Sequence, residues 1–506
     1  MTVRSALLAS LALLGGAAAQ GARPAVPPTV RIAIDGNAPS HPFPHFWEQM
    51  FGSGRAILSL RSSYRRDLRR VKRGTDFKWV RFHGILDRGV GLYSVDARGR
   101  PHYNFTYVDQ IYDGLLKEGV RPFVELSFMP PDLASREVSQ GFWYHPIVAP
   151  PKSWALWSAL IRRFARHLVD RYGIEEVSRW YFEVWNEPNG PFWAGDPREE
   201  TYFRLYDVTA RALKSVSARL RVGGPATAQA AWVSSFIAHC AAARVPVDFI
   251  STHIYGDDTP QNVFGTHERI ARRDMVIRAV RKVHRQIVAS ALPALPLVVS
   301  EFNATYRSDE PTITDSAYIG PWLANTIRAC DGLVRLMSYW TFSDVFEESG
   351  VPESPFAGGF GLIAVGGIPK AALNDFRLLH RLGTRRLSVA SDSALVTRRA
   401  DGTLAIAVWN YAPPGPKGST KTYALSLRHI AGAKRAQIWI VDRDHGSAWP
   451  VWKALGAPRF PSPAQHRALM RAARLAAPTV EPLAGTAPQL TLRLRPHALA
   501  LVELVR

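Results

Sequence analysis

Eight short runs of bulky apolar residues, separated by stretches with helical apolar spacing, constrain this chain more than any other feature. The runs lie near residues 46–54, 79–83, 122–127, 180–185, 221–225, 248–255, 296–301 and 335–341. Several read as continuous rather than alternating, as strands buried on both faces do. The gaps carry amphipathic helical patterns near 59–73, 107–118, 153–172, 199–216, 230–243, 269–289 and 316–329, with a closing one at 370–382. Parallel strands need such crossovers, and eight of them over roughly 330 residues match a (β/α)8 TIM barrel with insertions. The expected class is therefore α/β.

From about residue 387 the pattern changes to short alternating strands and turns, which predicts a C-terminal β-sandwich domain with a helical interruption at 463–476. An early alternating run, 29–34, is expected to join that sandwich. The domain reading is a secretory signal at 1–19, a linker and strand at 20–40, the barrel at 41–384 and the sandwich at 385–506. The signal rests on Arg4, the apolar run 7–14 and the small residues Ala17, Ala18 and Ala19, with cleavage expected near Ala19. No later stretch reaches the apolar length of a membrane span. The mature protein is expected to be secreted or periplasmic. Cys240 and Cys330 fall in helix-like segments and are expected to be buried thiols.

Lys and Arg number 63 against 42 Asp and Glu, a net charge of +21. The basic runs 61–73, 162–171 and 272–285 are interleaved with apolar residues at helical spacing, such as Leu160, Phe164 and Leu168. These charges read as the solvated faces of helices, and no zinc-finger or RNA-recognition spacing accompanies them. Nucleic acid is not an expected partner. A weak attraction to acidic glycans or to the cell envelope is compatible with the charge.

In a barrel of this kind the active site forms at the carboxyl ends of the strands. Polar, charged and aromatic residues recur there: Arg81 and His83 on strand two, Phe128 just past strand three, Asn186 and Glu187 on strand four, His253 and Tyr255 on strand six, Glu301 on strand seven and Trp340 on strand eight. Glu125 and Glu183 lie further back and are expected inside the barrel. Arg81 has a second reading, as an internal ion-pair partner of Glu301 or Glu183. Glu187 and Glu301 stand on strands that face each other across the mouth. Glycoside hydrolysis uses such a pair, one carboxyl group protonating the leaving oxygen and the other attacking the anomeric carbon or activating water. No metal or other cofactor is expected, because the histidines lack ligand spacing and no phosphate-binding glycine loop is present.

The motifs Trp185-Asn186-Glu187-Pro188-Asn189 and Ser300-Glu301-Phe302-Asn303 resemble the paired signatures of retaining clan A glycoside hydrolases. Val80-Arg81-Phe82-His83-Gly84, Phe123-Val124-Glu125-Leu126-Ser127-Phe128, Thr252-His253-Ile254-Tyr255, and the stretch from Tyr339 through Glu347 and Glu348 narrow the likeness to glycoside hydrolase family 39. The resemblance implies a double displacement with Glu187 as acid/base and Glu301 as nucleophile. It implies that Asn186 reads the sugar 2-hydroxyl and that Tyr255 touches the Glu301 carboxylate. His83 and His253 would line the first sugar subsite with Arg81 nearby, Trp340 and Phe128 would form aromatic walls, and Glu347 or Glu348 would bind sugar hydroxyls. Asp344 admits a structural role. By composition, Trp143-Tyr144-His145 and Phe192-Trp193 are further wall candidates.

Two activities attach to the family, β-xylosidase and α-L-iduronidase. In the iduronidase branch a lysine stands two residues after the strand-six histidine, and here that position is Tyr255. The acidic loop with Glu347 and Glu348 also disfavours an acidic sugar. The expected substrate is a neutral glycoside or oligosaccharide, foremost a β-D-xyloside; arabinosides, glucosides and exopolysaccharide remain open. A glycan-binding protein on the same scaffold would be expected to have a broken carboxylate pair, and both members are present.

Overall fold

The computed structural model describes residues 28–430 and 432–506; the expected signal and most of the linker lie outside them. All eight expected barrel strands form and close a parallel barrel: Met50–Gly52, Trp79–Phe82, Arg121–Glu125, Tyr181–Glu183, Arg221–Thr227, Phe249–Tyr255, Leu297–Asn303 and Leu336–Tyr339. Each pairs in parallel with the next, and Leu336–Tyr339 returns to Met50–Gly52. The first strand is shorter than its apolar run. Phe46 and Trp47 pack edge to face in the core, and His45 Nδ1 meets Glu48 Oε1 at 2.6 Å, which holds that stretch as a turn.

The helices bury the faces that their spacing predicts. Trp154–Tyr172 turns Trp157, Leu160, Ile161, Phe164 and Leu168 inward. Ser153 caps it by accepting from the Leu156 amide, and Gly173, at φ 78°, ends it in the left-handed region that favours glycine. Arg272–Val288 likewise buries Val276, Val280, Val283 and Ile287.

Inside the barrel, side chains stack in layers. Met50, Phe123, Tyr181, Phe249, Val298 and Leu336 form an apolar floor. Two residues further along strands three and four, the strand period of two places Glu125 and Glu183 directly above Phe123 and Tyr181. The floor thus keeps water from beneath a charged layer.

The second domain is a pair of sheets. Seven strands run in the order Ser40–Pro42, Arg385–Leu387, Ala394–Arg398, Leu404–Trp409, Leu499–Val505, Arg435–Val441 and Thr479–Pro482. Three more run Thr29–Asp35, Lys421–Arg428 and Gln489–Leu494, so the early strand joins this domain by parallel pairing. The helical interruption is Pro463–Ala472, opened by a capping box between Ser462 and Gln465, with a shorter helix, Trp449–Ala454, before it. Among the described residues, no helix is long and apolar enough to cross a membrane. Cys240 and Cys330 are buried and unpaired.

An ion-pair cluster around buried Glu503 helps to fasten the two domains. Arg381, just past the closing helix Ala371–His380, grips Glu503 with two bonds of 2.6 and 2.9 Å and lies 3.9 Å over the Trp439 ring. Arg399 also contacts Glu503, which is almost fully enclosed. Glu503→Ala leaves both guanidinium groups without their carboxylate. Because the arginines are partly solvated, the expected loss is about 2 kcal/mol. A urea titration should show a lower midpoint while turnover at low denaturant stays unchanged.

Candidate active site

Arg81 is the hub of the site. Its strand lies beside Gly52 on one side and Phe123 on the other, and its side chain is wholly buried. Nε donates to Glu183 at 2.6 Å, Nη1 to Glu301 at 2.6 Å and Nη2 to Asn186 Oδ1 at 3.0 Å, with Glu125 2.8 Å from Nη2. Arg81 does not reach the pocket surface. Of its two readings, the internal ion-pair partner is the one that the geometry matches. Glu125 and Glu183 lie inside the barrel, as their strand positions imply.

His83 stands two residues above Arg81 on the same face. Its Nδ1 donates to Glu125 at 2.7 Å, and its Nε2 lies 3.4 Å from Glu348. Burial opposes its charge, but Glu125 and Glu348 outweigh burial and raise its pKa to about 10. Burial likewise pushes Glu125 up, yet Arg81 and His83 hold it below the ordinary carboxylate range.

Glu187 and Glu301 meet at the mouth. One oxygen of each, together with a ring nitrogen of His253, lie within 4.8 Å of one another. Their surroundings differ. Glu301 receives the Arg81 guanidinium and the Tyr255 hydroxyl, the latter at 2.6 Å. Glu187 has His253 Nδ1 at 2.9 Å and, among the described residues, no guanidinium within salt-bridge reach. Burial lifts Glu187 to about 7, against a partial pull from His83 and Arg81. Burial also raises Glu301 above the ordinary carboxylate range, against the pull of the Arg81 guanidinium. His253 is held down to about 4, chiefly by burial, so its ring is neutral at physiological pH. Strand register explains its place: His253 is the direct neighbour of Glu301, just after a bulge.

The walls come from the loops beyond the strands. Trp340 packs 4.9 Å from the His83 ring and lies over Gly52, where even a β-carbon would come within 2.0 Å of its indole. Phe346 stands edge-on to Trp340, and Phe360 continues that cluster. Phe142 stacks on His83 at 6.1 Å and packs on Phe192. Neither Phe142 nor Phe346 stood out in the sequence; the aromatic run Gly141-Phe142-Trp143-Tyr144 was the signal for the first. Phe128 is fully buried among His83, Trp185 and Phe192, so it backs the wall rather than forming it. Trp193 is core, packed on Trp185 and bonded to Thr201.

Glu347 and Glu348 part company. Glu348 turns to His83, whereas Glu347 is enclosed between Arg55, at 3.3 Å, and Arg61, at 2.5 Å. Glu347 is therefore an anchor of the loop, and the expectation of a sugar contact passes to Glu348 alone. The Trp143 amide donates to the Glu348 carbonyl at 2.8 Å, tying the strand-three loop to the strand-eight loop across the mouth. Asp344 is structural: it holds Lys370 at 2.7 Å and accepts from the Gly361 amide at 2.6 Å.

Side-chain exposure falls from 19% at Glu187 and 16% at Glu348 to 6% at Glu301 and zero at Arg81, so the pocket narrows toward the guanidinium. A second His/carboxylate group, His45, Glu48 and His380, lies at the opposite end of the barrel, where both histidines bond Glu48.

A barrel with paired carboxylates on strands four and seven has close counterparts. Residues 30–486 match the model of glycosyl hydrolases family 39. The chain belongs to that family. The family 39 chain is 40% identical over 442 residues to a β-xylosidase of Geobacillus stearothermophilus, covering 84% of this chain and 86% of the relative. It is 34% identical to a β-xylosidase of Caldicellulosiruptor saccharolyticus, covering 85% and 88%. A monomeric β-xylosidase from Caulobacter crescentus CB15 superposes with a TM-score of 0.86 at 33% identity, covering 94% of this chain and 99% of that one. This family 39 protein is accordingly a glycosyl hydrolase.

The Tyr255 bond stabilises the charged form of Glu301, so its loss should raise the Glu301 pKa. Tyr255→Phe is expected to move the acid limb of the pH–activity profile on an aryl glycoside to higher pH. It should also lower kcat by roughly tenfold to a hundredfold. An unmoved acid limb would contradict the contact.

Proposed function

We propose that the chain is an exported, exo-acting, retaining β-D-xylosidase working on xylo-oligosaccharides. The observation that carries the mechanism is the pair Glu187 and Glu301, with oxygens within 4.8 Å and opposite surroundings. A spacing of about 5 Å suits direct attack by one carboxylate, and the wider gap of inverting enzymes leaves room for water.

Glu301, aimed by Arg81 and Tyr255, attacks the anomeric carbon. Glu187, protonated up to about pH 7 by burial, gives its proton to the leaving oxygen. Esterification removes the Glu301 charge; Glu187 then serves as base for the incoming water, and the sugar leaves with its anomeric configuration retained. Asn186 has its Oδ1 committed to Arg81, which leaves its amide N–H groups for the sugar 2-hydroxyl.

A neutral sugar is supported by charge. The fully buried cation of the site, Arg81, is shared by Glu125, Glu183 and Glu301, and His83 is held between Glu125 and Glu348. A sugar carboxylate would meet carboxylates and find no uncommitted guanidinium among these groups. The names of the relatives, β-xylosidases, support xylose. The tied loops over the mouth support exo action. Export is supported by the N-terminal pattern of Arg4, an apolar run and small residues.

A panel of aryl glycosides, with the first-formed anomer followed by NMR, tests the reading: β-xyloside should be the best substrate and β-xylose the first product. Glu301→Ala should reduce turnover to background. Glu187→Ala should lose about 10²- to 10⁴-fold on a poor leaving group, and azide should restore turnover with an activated one. First-formed α-xylose, or full activity in either variant, would reject the mechanism. For the wild type, kcat/KM should fall as pH rises through about 7, because deprotonated Glu187 cannot act as acid.

A further inference from the structure

A cleft of about 210 Å³ lies where the barrel meets the sandwich, and none of the active-site residues named above lines it. The barrel supplies Arg273 and Arg281, one side of the helix Arg272–Val288 at a spacing of two turns, and Arg328 from the helix Ile319–Cys330. The sandwich supplies Lys421, Tyr411 and Asp392. Four cations and two carboxylates, Asp274 and Asp392, therefore line one concave surface, with a net positive charge.

Their charges are poorly matched. Among the described residues, Arg281 and Lys421 make no ion pair, and Arg273 has only its sequence neighbour Asp274, at 3.3 Å. Arg328 pairs with Asp392 at 3.2 Å, but that carboxylate is 94% exposed and so strongly screened. The Arg328 Nε is buried with no partner. Burial lowers the Arg328 pKa, and Arg386, Arg281 and Arg273 push the same way. Arg386 itself is committed elsewhere, to Asp331 and to the Arg328 carbonyl. Solvated helix faces explain most of the basic surface of this protein. They do not explain a buried, unpartnered guanidinium N–H among like charges in a cleft.

We propose that this cleft binds the carboxylate of an acidic sugar, a uronic acid carried as a side group on the xylan whose oligosaccharides the enzyme processes. Guanidinium groups pair with carboxylates through charge-assisted bonds, and the Tyr411 ring beside them offers an apolar face for a sugar ring. Arg273 lies 5.9 Å over that ring, so cation and aromatic face form one unit. The volume exceeds what a compact inorganic anion needs. The choice of polysaccharide rests on the xylosidase reading; the cleft's preference for a sugar carboxylate does not.

The test is affinity electrophoresis of the full chain in gels holding a xylan bearing glucuronic acid, or the same xylan after reduction of its carboxyl groups. The acidic polymer should retard the wild type and the reduced polymer should not. Arg281→Ala/Lys421→Ala should weaken the retardation about tenfold, roughly the worth of one charge-assisted contact. Arg163→Ala/Arg166→Ala, which removes the same charge from another helix, should leave it unchanged. Free glucuronate should compete, and inorganic sulfate at equal ionic strength should not. Equal loss in both double variants, retention on the reduced polymer, or competition by sulfate alone would overturn the proposal. Turnover of aryl β-xyloside, measured on each variant, should not change. Its absence in the wild type would reject the xylosidase reading and leave the binding result standing.

Discussion

The site depends on one buried cation. Arg81 has no exposed surface, and three carboxylates, Glu125, Glu183 and Glu301, lie within 2.8 Å of its guanidinium nitrogens. Removing an ion from water is costly, and only close, complete pairing offsets it. Each carboxylate therefore fixes the guanidinium, and the guanidinium fixes each carboxylate. Glu301 inherits its orientation from this cluster rather than from its own rotamer preference, and Asn186 inherits its amide orientation the same way. The apolar layer of Phe123, Tyr181 and Phe249 beneath keeps the dielectric low and the ions close.

That single cation also separates the two carboxyl groups chemically. It touches Glu301 and does not touch Glu187, so burial acts on Glu187 with less opposition. His253 lies between them, with Nδ1 2.9 Å from Glu187 and 3.5 Å from Glu301. A charged imidazole there would stabilise both carboxylates and erase the difference. Burial keeps it neutral, and a neutral ring has one N–H to offer, so it can hold a proton toward one carboxyl group at a time. The asymmetry that double displacement needs follows from which strand carries arginine and which carries histidine.

Much of this was legible in the sequence, for a physical reason. Strands buried on both faces must be nearly all apolar, so all eight announced themselves, and polar residues at their ends stood out against that background. Arg81 was legible as a strand-end residue, but its depth was not weighed. The period of two puts residues 81 and 83 on one face, with 81 a layer lower, and this points to the ion-pair reading. What stayed hidden depends on distant partners. Glu347 and Glu348 are adjacent in a loop, and Arg55 and Arg61, almost 300 residues earlier, decide which turns inward. Phe128 looked like a wall because nothing local says that Trp185 and Phe192 pack around it. The edge strands Ser40–Pro42 and Thr479–Pro482, and the short strand Arg385–Leu387 beside the first of them, escaped because exposure removes the alternation that marks a strand.

The distribution of charge gives the molecule two unlike faces. The catalytic pocket concentrates carboxylates, Glu125, Glu183, Glu187, Glu301 and Glu348, against two cations that are both committed. The outer helices carry the excess of arginine that makes the net charge +21. For a branched polymer whose backbone is neutral and whose side groups are acidic, these faces do not compete. Acidic groups are repelled from the pocket by charges that cannot rearrange, because Arg81 fixes them. The same groups are attracted to the exterior, where screening limits the reach of attraction to about one Debye length, ~8 Å at physiological ionic strength. Such a field cannot select a sugar. It can raise the local concentration of polymer, and on the proposed reading the selection of a neutral ring then falls to the buried cluster.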